Sequence, residues 1–217
     1  MVTMSKQHHE ARKLKTDLLV SLIRWGYTFL DLVAALRTFS KTCESPPYFF
    51  LDTMAINQHR FFLGSTNDQS NQADLLQGLR SSLHACGNLL LVCMAGPGCE
   101  PGWMSPAPFK RIWCLFEIYV ALCSKLPIFF QFGDGDERDL RDQLNLGGGE
   151  ARINGAVSAI CAEHAQASVA SDRAFILGVV HDEIGLGAFN DFIRKGIKRE
   201  FAEISMLAAF RGGNYSA

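Results

Sequence analysis

Asn88-Leu89-Leu90-Leu91-Val92-Cys93-Met94 is apolar from its second residue to its last. A strand wet on one side alternates polar and apolar residues. An unbroken apolar run is what a strand covered on both faces requires. The run is preceded by an amphipathic helical pattern over Ala73–Cys86, with Leu75, Leu76, Leu79 and Leu83 at helical spacing and Gly87 as its stop. Ala95–Phe109 follows, with three glycines and four prolines, and reads as a long loop. This segment therefore predicts a helix, a buried strand and a loop in succession.

The same alternation extends in both directions. Asp17–Ile23 reads as a short strand. Thr28–Phe39 reads as a helix, with Thr28 as N-cap and Phe29, Leu32, Val33 and Leu36 in phase. Tyr48–Ile56 is aromatic and β-branched enough for a strand. Asn57–Gln72 is polar, without period, and reads as a second long loop. Lys110–Lys125 reads as a helix and Leu126–Phe132 as a strand. Asp134–Gly149 is acidic, then glycine-rich, with Gly147–Gly149 as a flexible connector. Beyond Glu150 the pattern is mostly helical, broken near Gly185 and Gly187.

Such alternation predicts an α/β fold: an open, doubly wound parallel sheet of four to five strands, helices on both faces and a helical C-terminal region. Residues 1–16 form a polar lead-in and residues 17–210 a single domain. Ligands in such sheets bind beyond the carboxyl ends of the strands. That edge falls on Arg24–Tyr27, Asn57–Gln72 and Ala95–Phe109.

Several classes are disfavoured. With Lys+Arg 21 against Asp+Glu 22, no basic excess draws the chain to nucleic acid. No run of about 18 uncharged apolar residues is present, so no membrane span is expected. Met1 to Lys15 is polar and has no apolar stretch, so no secretory signal is expected. Its seven cysteines include no C-x-x-C. Cys93, Cys114, Cys123 and Cys161 lie in apolar surroundings and read as small buried hydrophobes of a reducing, cytoplasmic protein. No zinc or other metal site is expected. Gly96-Pro97-Gly98 is not a phosphate loop, and no G-x-S-x-G elbow occurs. His84 and His164 read as surface or structural residues. Trp103 and Trp25 lie on edge loops, where each can stack on a ring or pack its loop down.

Two features carry chemistry. From Ile112 to Cys123 the only residue that is neither apolar nor aromatic is Glu117. A helix apolar all round is buried, and a carboxylate in it is either a functional group at a crevice or half of a structural ion pair with Arg111 or Arg24. Second, Asp52 interrupts an apolar strand, and Asn57-Gln58-His59 follow where that strand emerges. These amides suit a ribose or a base; loop capping is the plainer role.

Together these motifs resemble a known family. Arg111-Ile112-Trp113-Cys114-Leu115-Phe116-Glu117-Ile118 is similar to the tryptophan-cysteine-x-x-glutamate stretch of TIR (Toll/interleukin receptor) domains. Tyr48-Phe49-Phe50-Leu51-Asp52 with Ile56-Asn57-Gln58 resembles the second strand and following loop of protist and algal TIR-like proteins, and of the related fungal heterokaryon-incompatibility domains. Val20-Ser21 with Phe29-Leu30-Asp31-Leu32-Val33 resembles their first strand and helix. Ser171-Asp172-Arg173 with Ile176-Leu177 and Gly185 resembles their tail. The likeness spans roughly residues 17–200.

The resemblance implies a flavodoxin-like sheet and an NAD glycohydrolase that cleaves the nicotinamide–ribose bond. NAD is then a substrate, with no cofactor. It implies Glu117 as the catalytic residue, and Trp113, Asn57, Gln58, Asp52, Ser21 and Trp25 around the substrate. It also implies a homo-oligomer, or assembly with other TIR-like domains, because such active sites are often completed by a neighbour. Some TIR domains are adaptors only, and that is the alternative here. The chain departs from the family where Ser21 is followed by Leu22-Ile23-Arg24-Trp25 rather than by a histidine or tyrosine.

Overall fold

A computed structural model describes residues 18–22, 27–51, 68–95 and 100–212. The chain is mixed α/β. Strand β1 (Leu18–Leu22) is followed by helix α1 (Phe29–Ser40), strand β2 (Tyr48–Leu51), helix α2 (Asp68–Cys86) and strand β3 (Leu89–Cys93). A 3-10 turn (Ala107–Lys110) leads into helix α3 (Ile112–Cys123) and strand β4 (Ile128–Phe132). Helices α4 (Asp134–Asn145), α5 (Gly149–Ser158), α6 (Ala170–Glu183) and α7 (Leu186–Gly212) complete the described chain, with a second 3-10 turn at Ala162–His164.

The strands form one parallel sheet in the order β2-β1-β3-β4. All five residues of central strand β3 are fully buried, which is why its sequence does not alternate. Its side chains divide between two cores. Leu90, Val92 and Met94 meet Leu32, Ala35 and Phe39 of α1. Leu89, Leu91 and Cys93 meet α2, α3, α6 and α7 in a larger core that runs in sequence from Leu76 to Phe201. Edge strands follow the same pleat: Phe49, Leu51 and Phe129 face the α1 side, and Phe50 and Phe130 the other.

Local chemistry sets the helix ends. Thr28 caps α1, its hydroxyl oxygen accepting from the Asp31 amide at 3.1 Å. Gly87 ends α2 at φ 72°, a left-handed backbone that a side chain disfavours, and its amide reaches the Leu83 carbonyl at 2.9 Å.

Several expectations need correction. Phe29 is 61% exposed and lies off the buried stripe, which runs through Leu32, Ala35 and Phe39. Helix α2 begins at Asp68, inside the segment read as loop; its polar first turns carry no apolar period, which a helix needs only where it meets the core. The remainder of that segment, and the strand residues expected beyond Leu51, lie outside the described residues. The acidic stretch forms helix α4, held by an apolar stripe of only Leu140 and Leu144, too narrow to give a period. Gly149 is no flexible connector: it is buried, and a Cβ there would stand 2.9 Å from the Leu144 nitrogen. Cys93 and Cys114 are buried as expected, but Cys123, at the end of α3, is exposed and Cys161 is half-buried.

Candidate functional site

In a parallel sheet each strand hands over to its helix at the carboxyl edge, so loops and helix N-termini gather there. Here β3 ends beside Met94. The Tyr27 hydroxyl donates to the Met94 carbonyl at 3.1 Å and accepts from the Met94 amide at 3.1 Å. Next in the chain, the Ala95 amide donates to Asp136 Oδ2 at 3.0 Å. The Gly102 amide donates to the same oxygen, also at 3.0 Å. One carboxylate oxygen from the first turn of α4 thus ties together the two points where the chain leaves and returns to β3. Gly102 presses on the strand end so closely that a Cβ would lie 2.5 Å from the Cys93 carbonyl oxygen. Burial, with a smaller contribution from Asp136, pushes the Cys93 thiol well up, so it stays protonated.

Trp103 is fully buried, against the exposed ring that stacking on a ligand requires. Its indole N–H donates to Asp139 Oδ2 at 2.9 Å. Of its two possible roles, packing the loop down is the one it performs. Asp136 and Asp139 lie three residues apart on α4 and both reach back to the β3–α3 connection.

The start of α3 is held from another direction. Arg111 occupies its N-cap position, and its side chain makes no capping hydrogen bond. Instead Arg111 forms an isolated parallel bridge with Gln166. The Ile112 amide donates to the Gln166 carbonyl at 3.0 Å and the Gln166 amide to the Lys110 carbonyl at 2.8 Å. Arg111 also donates to Ser168 Oγ at 3.2 Å. Trp113 is half-buried, and its indole N–H donates to Asp172 Oδ2 at 3.2 Å.

Glu117 follows one turn after Trp113, on the same side of α3. It is 3% exposed. Its neighbours in the helix are apolar: Ile112, Cys114, Leu115, Phe116, Ile118, Val120 and Ala121 are all buried with it. The Arg80 guanidinium lies 5.4 Å from the centre of the Phe116 ring and pairs with Glu183, tying α2 to α6 beside α3.

The other expected substrate-binding residues divide into two groups. Ser21 lies in β1, in register with Leu51 of β2 and Leu90 of β3, one residue before the strand ends. Trp25, Asp52, Asn57 and Gln58 lie outside the described residues. The sequence reading missed Tyr27, Asp136, Asp139 and, as a partner of Trp113, Asp172. An aspartate pair at i, i+3 in an acidic segment is a signal for helix α4, but nothing in the sequence says which backbone amides it meets. Among the described residues no group of three His, Cys, Asp or Glu is arranged to hold a metal ion, and no helix is long and apolar enough to cross a membrane. Comparison with protein-family models, with curated proteins and with solved structures found no match to this chain.

Proposed function

We propose that this chain is a TIR-like NAD glycohydrolase with Glu117 as its catalytic carboxylate, built on a flavodoxin-like, doubly wound sheet. The observation that carries the reading is Glu117 itself, a carboxylate 3% exposed on a helix whose other buried residues are all apolar. The strand order β2-β1-β3-β4 supports the fold, since flavodoxin-like sheets run 2-1-3-4 with a ligand crevice where β1 and β3 part. Cleavage of the nicotinamide–ribose bond passes through an oxocarbenium-like state. A carboxylate beside the ribose stabilises that positive charge or orients the ribose hydroxyls, and a low local dielectric strengthens the effect. Nicotinamide departs with the bonding electrons, and water completes the ribosyl carbon.

A second reading, a non-enzymatic module that assembles with its own kind, is favoured by two other observations. The backbone amides of Met94, Ala95 and Gly102 are already satisfied by Tyr27 and Asp136, which leaves them unavailable to a substrate phosphate. Phe29 and Leu30, 61% and 77% exposed, present adjacent apolar side chains on the first turn of α1.

Nicotinamide release from NAD, measured for wild type and Glu117→Gln over a range of protein concentrations, separates the two. Release by wild type that Glu117→Gln loses by on the order of a thousandfold supports the hydrolase, as removal of a group that stabilises transition-state charge should. A rate per molecule that rises with concentration adds assembly of the active site. No release at any concentration, with self-association in sedimentation velocity that Glu117→Gln leaves unchanged, selects the module.

A further inference from the structure

We infer that Asp172 is a positioning residue: through Trp113 it sets the side of α3 that carries Glu117. The role of Glu117 rests on the reading above; the latch itself rests on geometry alone.

Arg111, the N-cap residue of α3, makes no capping hydrogen bond with its side chain. The start of a helix leaves backbone N–H groups without partners inside the helix, so something else must fix its first turn. In this chain that work falls to residues 166–173. The Gln166 bridge holds Lys110 and Ile112 by main-chain bonds, and Ser168 holds Arg111. Asp172 holds Trp113, the second residue of the helix. Its carboxylate places negative charge near the positive end of the α3 dipole, which favours the same arrangement.

The 166–173 stretch is itself held. Arg173 Nε donates to the Ala165 carbonyl at 2.8 Å, and its terminal nitrogen to the Glu163 carbonyl. Asn190 Oδ1 of α7 accepts from the Ala162 amide at 2.8 Å, while its Nδ2 donates to Glu163 Oε2 at 2.8 Å. Arg194, also on α7, donates to the Ile160 carbonyl at 2.9 Å through Nε and at 2.6 Å through a terminal nitrogen. A hydrogen-bonded path therefore runs from α7 through the 160–166 connector to α6 and on to the start of α3. Trp113 is its last member, and Glu117 lies one turn beyond. The indole N–H is donated to Asp172, so Trp113 serves as the lever of this latch rather than as a hydrogen-bond donor to substrate.

The test uses the full chain and four variants: Asp172→Ala, Asp172→Asn, Trp113→Phe, and Trp113→Phe combined with Asp172→Ala. Asn keeps an acceptor oxygen without the charge, and Phe keeps most of the ring without the donor. Two readouts are taken, amide exchange across residues 113–118 and the kcat and KM of nicotinamide release. With the latch removed, exchange in that stretch rises and kcat falls about tenfold, the lower end of what a hydrogen bond to a charged group contributes. KM stays within about twofold, because orientation of the catalytic group rather than binding is altered. Asp172→Asn recovers most of both effects, and the double variant is no worse than either single one, because the two side chains act as one pair.

Unchanged exchange in Asp172→Ala and Trp113→Phe overturns the inference whatever the activity. So does a double variant whose losses simply add, or a change in KM with kcat intact. If wild type releases no nicotinamide, the hydrolase reading fails by itself; faster exchange with rescue by Asn then still establishes the latch, and slow exchange refutes it. Trp113→Phe decides the matter should Asp172→Ala fail to fold.

Discussion

Gly102→Ala should destabilise the protein, whereas the same substitution at Gly78 should stabilise it. At Gly102 a new Cβ would stand 2.5 Å from the Cys93 carbonyl oxygen, 2.7 Å from the Met94 carbonyl carbon and 2.8 Å from Asp136 Oδ2. The first two are main-chain atoms of the fully buried strand β3 and its end, so they cannot swing aside. The third belongs to the carboxylate that accepts the Gly102 amide. Relief of the overlap requires the returning chain to lift off the strand end. Overpacking of this kind costs about 1–3 kcal/mol, and loss of a hydrogen bond to a charged acceptor about 1.5–3 kcal/mol. The two overlap, since one displacement causes both, and about 3 kcal/mol is a fair total. For a chain of this size each kcal/mol moves the melting temperature by about 2–4 °C, which gives a fall of about 6–12 °C. Gly78, in α2, has nothing within 4 Å of its Cβ position. There Ala reduces the freedom of the unfolded chain and suits the helix, for a gain of about 0.5–1 kcal/mol. Urea unfolding of both variants beside wild type measures the pair. A Gly102→Ala midpoint equal to wild type would refute the close approach of residue 102 to β3.

Thiol labelling and acid unfolding check other parts of the fold. Under native conditions iodoacetamide should modify Cys123, which is exposed, and leave Cys93 and Cys114 untouched until the chain unfolds. Mass mapping that finds native-state modification at Cys93 would contradict the burial that holds its thiol protonated. Glu163 has its pKa lowered from its ordinary value of 4.5, first by the hydrogen bond from Asn190, then by a backbone bond and by Cys161. A depressed folded-state pKa contributes stability above the unfolded value and loses it as the pH falls through the folded one. Glu163→Gln should therefore flatten the loss of stability on acidification below pH 4.5. An acid profile that overlays wild type would show that the Asn190–Glu163 contact does not favour the charged carboxylate.

Elements whose residues meet the core on a wide front were legible in the sequence. Strand β3 shows its burial in every residue. Helix α2 shows it in Leu76, Leu79, Leu83 and Cys86, and α3 in being apolar nearly throughout. Elements with a narrow contact were not. Leu140 and Leu144 are enough to seat α4 on the core, because Asp136 and Asp139 fasten its first two turns by hydrogen bonds. Hydropathy cannot register that kind of attachment. The same limit shows at Phe29: its spacing fits the apolar stripe, but it stands at the first position of α1, where it is 61% exposed, and Leu32 is the first residue of the helix to be buried.

The candidate site repeats this division. Glu117 stood out because one charge in an apolar helix breaks a pattern that periodicity makes visible, and its burial follows from the helix around it. Trp113 stood out by resemblance, but its partner did not, because Asp172 is separated from it by 59 residues. Tyr27 and Met94, 67 apart, are equally invisible to one another in the sequence. Each of these contacts joins an aromatic donor to an acceptor on another element, and each lies at the end of a strand or the start of a helix. Main-chain groups at such ends lack partners within their own element, so distant side chains or segments complete them. Spacing within one helix identifies a buried carboxylate; only the folded chain shows which distant groups fasten the ends of β3, α3, α4 and α6 around it.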